Sequence, residues 1–218
     1  MSPRYLVPTA LALVLPACAA APRLSRPALP PPAQELRAGV RDPDAGSVPP
    51  VSAASSARPP HDATVRTAIE TARGLVGQRE ISVDGTRFGD DCAALVRASF
   101  SRAGAPLPAG ATSAAALHHL ARERRLLRRG APAAGDLIFL SDRPGGAPAH
   151  VGIVESVSAD GTAMVLHRTG RGVARLRVNA EHPWKLKSDE GRLLNDPLVT
   201  GAGRVPAGRL FVAWASLL

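Results

Sequence analysis

Cys92, His150 and His167 are the residues whose types and order could carry covalent chemistry. An ionised thiol is a strong nucleophile, and an imidazole is the usual base that takes its proton. Cys92 follows Asp91 and precedes an apolar-periodic stretch, with Leu95, Val96 and Phe100 on one face, that reads as a helix ending at Gly104. The free N–H groups and positive dipole at a helix start favour a thiolate and could also receive a developing oxyanion. His150 opens one strand-like run and His167 closes the next, so an antiparallel hairpin would bring both imidazoles together. Nucleophile, base and orienting group in that order suit acyl transfer through a thioester. Plainer readings remain open here. A lone cysteine can be core filler, each histidine can be structural, and three such ligands with a water can also hold zinc.

The only other cysteine, Cys18, belongs to a different kind of segment. Arg4 gives a short positive start, an apolar run extends from Tyr5 to Ala17, and small residues follow through Ala21. The run is too short to span a bilayer and fits a secretory signal over residues 1–21. Leu15-Pro16-Ala17-Cys18 is similar to a lipobox, so a lipoprotein-type signal with Cys18 lipidated is the preferred expectation; Ala17-Cys18-Ala19 would also serve as an ordinary cleavage site. Cys92 is then the single thiol of the folded part. An unpaired thiol in an oxidising compartment is either buried or used.

Residues 22–60 hold ten of the 21 prolines and show no apolar periodicity. Such a segment cannot bury enough apolar surface to offset its ordering entropy, which predicts a disordered, partly polyproline linker. Extended at about 3.1 Å per residue, it would reach on the order of 100 Å. The net charge of +9 comes almost wholly from arginine. A basic surface attracts anionic polymers. With aromatics at 3% and no nucleic-acid motif, a nucleic-acid partner is not expected.

The elements that must position the three residues follow from patterning over 61–218. Asp62 or Thr64 can cap a first helix running to about Val76, stopped by Gly77. A polar loop, Gln78 to Asp90, leads to the Cys92 helix. Thr112 or Ser113 caps a third helix through Leu117, Leu120 and Leu127, ended by Gly130, with a basic tail from Arg122 to Arg129. Strands follow at 136–140, 150–154, 163–167 and 172–178, with a last one at 210–214. Helices first and an antiparallel sheet after them predict an α+β domain. Asp91 reads more readily as a helix cap than as a catalytic acid. His118 and His119, about 100° apart on a helix, cannot share a metal face.

Four motifs carry a family resemblance. Asp91-Cys92-Ala93-Ala94-Leu95-Val96 resembles the D-C-S-G-L-V nucleophile motif of the NlpC family of cell-wall cysteine peptidases. Pro132-Ala133-Ala134-Gly135-Asp136-Leu137-Ile138-Phe139 is similar to that family's P-G-D-L-V-F-F strand. His150-Val151-Gly152-Ile153-Val154 matches its H-V-G-I-Y strand, and Leu166-His167 its I-H strand. The resemblance implies a papain-like α+β fold, with N-terminal helices packed on a C-terminal antiparallel β-sheet. It also implies hydrolysis of an amide bond in peptidoglycan stem peptides, usually D-γ-glutamyl to diaminopimelate. It assigns Cys92 as nucleophile, His150 as base and His167 as the third polar group, and needs no metal or cofactor. Peptidoglycan would be the partner, in the periplasm or cell envelope, with a membrane reached through the lipid anchor.

The sequence departs from the family pattern in three places. Ala93 and Ala94 stand where Ser and Gly are usual, the aromatic-glycine segment upstream is replaced by Gln78 to Asp90, and Lys185 to Gly208 has no counterpart. Two alternatives therefore stay open: an N-acetylmuramoyl-L-alanine amidase of the same fold, and a catalytically inactive wall-binding lipoprotein.

Overall fold

The computed structural model describes residues 60–201 and 203–218. The signal over 1–21, Cys18, and all but the last residue of the proline-rich segment lie outside the described residues. Three helices come first: α1 at Pro60–Gly74, α2 at Ala94–Arg102 and α3 at Ala114–Glu123. Ala68, Ile69 and Ala72 bury one stripe of α1. The helix stops two residues before the expected Val76, because Val76 leaves it to bridge Val173 and the Gly77 amide donates to the Val173 carbonyl at 2.8 Å. Ser113 caps α3 by accepting from the Ala116 amide at 3.1 Å. That helix also ends early. Arg125 adopts φ 58°, and the chain turns into a short strand instead of running on to Leu127.

Between α1 and α2, β1 (Ser82–Val83) and β2 (Thr86–Arg87) form a small hairpin. Its turn residues Asp84 and Gly85 both have positive φ, at 49° and 76°, the type I′ geometry that suits Asp-Gly. The main strands are β3 (Leu127–Arg128), β4 (Leu137–Ser141), β5 (Pro148–Val157), β6 (Ala163–Thr169) and β7 (Gly172–Val178). A second hairpin pairs β8 (Pro197–Thr200) with β9 (Gly203–Pro206), and β10 is Phe211–Ala215. Six strands make one antiparallel sheet in the order β3-β10-β4-β5-β6-β7. The chain is thus α+β, helices before an antiparallel sheet, as its patterning predicts.

Two apolar clusters sandwich that sheet. On the helical side Leu95, Phe100 and Leu117 pack with Phe139, Val151 and Ile153. On the far side Ile138, Val154, Val165 and Trp214 pack with Leu210 and Val205. Period-2 alternation along β4 sends Leu137 and Phe139 to the helices and Ile138 and Leu140 away from them. That explains why this strand reads as an unbroken apolar run. At its start Asp136, 2% exposed, accepts from the Ala133 amide at 2.5 Å, from Ser216 Oγ at 2.6 Å and from Arg128. A buried carboxylate so fully bonded holds the strand entry in place.

The far cluster is roofed by the segment after β7. Asn195, fully buried, ties it down. Its Oδ1 accepts from the amides of Asn179 and Gly208, both at 2.8 Å, and its Nδ2 donates to the carbonyls of His182 at 3.0 Å and Lys185 at 2.9 Å. One amide side chain therefore satisfies four backbone groups of an otherwise irregular stretch.

Candidate active site

Cys92 lies in the turn just ahead of α2, held there by its neighbour. The Asp91 carboxylate accepts from the Ala93 amide at 2.8 Å and from Arg97 Nη1 and Nη2 at 3.1 and 2.9 Å. Arg97 also donates to the Phe88 carbonyl at 2.5 Å, which joins the preceding loop to the same clamp. Burial alone would raise the Asp91 carboxyl, but Arg97 and the Ala93 amide outweigh it and hold it below the usual carboxylate range. Asp91 thus closes a turn ahead of α2 and does not cap the helix as the sequence suggested: the N-cap position is Ala93, which has no side-chain cap bond. Ala93 and Ala94 are fully buried, so small side chains are required where the turn presses on the core.

The Cys92 side chain is half-buried, and its Sγ lies 3.7 Å from the Ala149 carbonyl oxygen, close enough for the thiol to donate there. Three amides stand at this helix entry. Ala93 donates to the Asp91 carboxylate and Ala94 to the Asp91 carbonyl at 3.2 Å. The Cys92 amide has no acceptor among the described residues.

Ala149 is more than a neighbour of His150. Leu140 pairs with His150 but Ser141 with Pro148, so the register slips and Ala149 is an extra, bulged residue. A bulge bends its strand and re-aims the side chains beside it. The thiol thus comes from the helical side to the bulge that breaks the β4–β5 ladder at Ala149, the residue before exposed His150.

His167 on β6 sits opposite Gly152 on β5. Residues 150 and 152 share a face, so His150 and His167 rise from the same side of the sheet, as the hairpin argument expects. Glycine is needed between them. A Cβ on Gly152 would lie 2.5 Å from Val165 Cγ1, 2.8 Å from the Leu166 carbonyl oxygen and 3.2 Å from His167 Cβ. Burial, and then the nearby His150, push the His167 pKa down to about 4, with Asp196 pulling weakly the other way. His167 is therefore neutral at pH 7, and a neutral imidazole can accept a proton donated by a neighbouring ring.

Both histidines line a cavity of about 310 Å³ with Leu140, Leu210 and Arg168, roofed by Leu198 to Gly201 of the second hairpin. Leu198 to Gly201 belong to the Lys185 to Gly208 stretch that has no counterpart in the family pattern, so part of that stretch forms one wall beside the imidazoles. Cys92 is not among the residues lining this cavity and approaches from the other side of the bulge. Among the described residues no group of three His, Cys, Asp or Glu side chains is placed to hold a metal ion, so the zinc reading gains nothing from the geometry. His118 packs its ring edge-on to Phe139 with centroids 5.1 Å apart, and His119 lies 3.4 Å from Glu123, both ordinary helix contacts.

A family model described as "NlpC/P60 family" matches residues 78–190, a span that contains Cys92, His150 and His167. No curated protein matches the chain. Among solved structures, it is similar to that of Ly7917 with the hydrolyzing product of MDP, at 19% identity and a TM-score of 0.40, over 70% of this chain and 62% of that one. A second similar structure is an NlpC/P60 family protein from Bacillus cereus ATCC 10987, at 18% identity and a TM-score of 0.35, over 69% of this chain and 39% of that one. A third, described as similar to lipoprotein, NLP/P60 family, from Staphylococcus aureus subsp. aureus Mu50, shows 19% identity and a TM-score of 0.35, over 67% of this chain and 42% of that one. The chain thus spans 62% or less of the length of these three proteins.

Proposed function

Because the chain belongs to the NlpC/P60 family, we propose that it hydrolyses an amide bond in the stem peptides of peptidoglycan, with Cys92 as nucleophile and His150 as base. The observation that carries this reading is the half-buried Cys92 thiol 3.7 Å from the carbonyl of bulged Ala149, the residue that precedes His150 in the chain.

In the proposed reaction His150 takes the Cys92 proton as the sulfur attacks the amide carbonyl carbon. The oxyanion that forms is met by the Cys92 amide, the helix-entry N–H with no acceptor among the described residues. The C–N bond breaks, His150 returns the proton to the leaving amine, and a thioester remains on Cys92. Water, deprotonated by His150, then releases a carboxylate and restores the thiol. His167 orients the base. Being neutral, it adds no second positive charge beside the imidazolium that forms on His150.

The bond we assign is D-γ-glutamyl to diaminopimelate. Residues 61–218 would be the catalytic domain, tethered by 22–60 to a lipidated Cys18 and exported to the periplasm or cell envelope. Mass spectrometry of peptidoglycan digested by the purified protein tests the bond. New amino termini on diaminopimelate support it, free lactyl groups on muramic acid would instead identify an amidase, and no release at all would leave a wall-binding protein.

A further inference from the structure

Arg168 follows His167 on β6 and lines the same cavity. Its side chain is only 11% exposed. A guanidinium has five N–H donors and is always charged, so burying it is costly unless its donors find acceptors. Here few do. One Nη donates to the Thr169 carbonyl. Nε is buried and has no partner among the described residues. The nearest carboxylate, Asp90, lies 3.8 Å from Nη2, beyond hydrogen-bond reach, and is shared with Arg87 at 3.3 Å. A nearly enclosed cation with unused donors is thus held between the cavity and the loop that leads into Cys92.

We infer that Arg168 is a specificity-determining residue that binds a free carboxylate of the substrate. The inference rests on the proposed hydrolase reading and sharpens it. A γ-linked glutamyl residue leaves its α-carboxylate free beside the scissile amide, and a planar carboxylate matches the guanidinium fork. An α-carboxamide at the same position offers one acceptor and no charge. The protein therefore selects stem peptides with a free glutamyl α-carboxylate over their amidated counterparts.

The test compares two synthetic stem peptides that differ only in that carboxylate or carboxamide. Binding to Cys92→Ala protein is measured by calorimetry, and hydrolysis by the unmodified protein. A hydrogen-bonded charge pair predicts at least about a tenfold preference for the carboxylate. Arg168→Gln should erase the preference by weakening the carboxylate peptide alone, and Arg168→Lys, which keeps charge but not the fork, should retain part of it. Asp90→Asn should leave the preference in place. Equal binding of the two peptides would overturn the inference, as would an Arg168→Gln protein weakened equally toward both, or an Asp90→Asn protein that loses the preference. If Arg168→Gln does not fold, Arg168→Lys carries the same comparison. Preferential binding without cleavage would refute the hydrolase and keep the carboxylate site.

Discussion

Acid should unfold this protein partly through His167. In the folded chain its pKa is lowered from 6.5 to about 4, chiefly by burial and then by His150. The folded imidazole therefore holds its proton less tightly than the unfolded one, and protonation favours the unfolded chain. The contribution is unfavourable to folding only in acid: stability falls as pH drops from about 6.5 towards 4 and levels off below. At pH 5 the unfolded residue is almost wholly protonated and the folded one scarcely, a loss of about 2 kcal/mol relative to pH 7. Urea unfolding at pH 7 and pH 5 measures it, on the unmodified protein and on His167→Gln. The carboxylates of Asp91, Glu155 and Asp160 titrate in both proteins, so the difference between the two curves isolates His167. The unmodified protein should lose about 2 kcal/mol more than the variant over that interval. Equal losses in both would show that His167 titrates normally and is not enclosed beside His150.

Two further substitutions test the elements that hold the site. Gly152→Ala would force the Leu166 carbonyl and Val165 to move, from contacts of 2.8 and 2.5 Å. It should cost about 1–3 kcal/mol in urea unfolding and reduce kcat more than KM by parting the two histidines. Asn195→Ala would leave two amides and two carbonyls without their buried partner. At about 1–3 kcal/mol for each group that water does not reach, the loss should exceed about 2 kcal/mol, with proteolysis then beginning within residues 182–208.

Much of this was legible in the sequence because the relevant signals are local. Ser113 ahead of an amphipathic run, alternating strands, and a cysteine one residue before buried Ala93 and Ala94 each carry their own geometry. The ends of α1 and α3 were not local. Leu127 continues a helical spacing, yet it pairs with Ala215 at the far end of the chain, and a partner nearly ninety residues away leaves no mark nearby. The β1–β2 hairpin did leave one, Asp84-Gly85, but strands of two residues are too short to show alternation. The bulge at Ala149 depends on how two strands pair, and the isolation of Arg168 on how a loop, a strand and a cavity meet. Neither could be read from spacing, although both sit beside residues that were.

The central claim is a covalent bond between substrate and one sulfur. Rapid acid quenching during turnover of a stem peptide, followed by intact-mass and peptide mass spectrometry, tests it most directly. We expect an acyl adduct on the peptide containing Cys92, absent from Cys92→Ala, and accumulating less in His150→Ala. Turnover by Cys92→Ala at the unmodified rate, with no adduct on any cysteine, would contradict it.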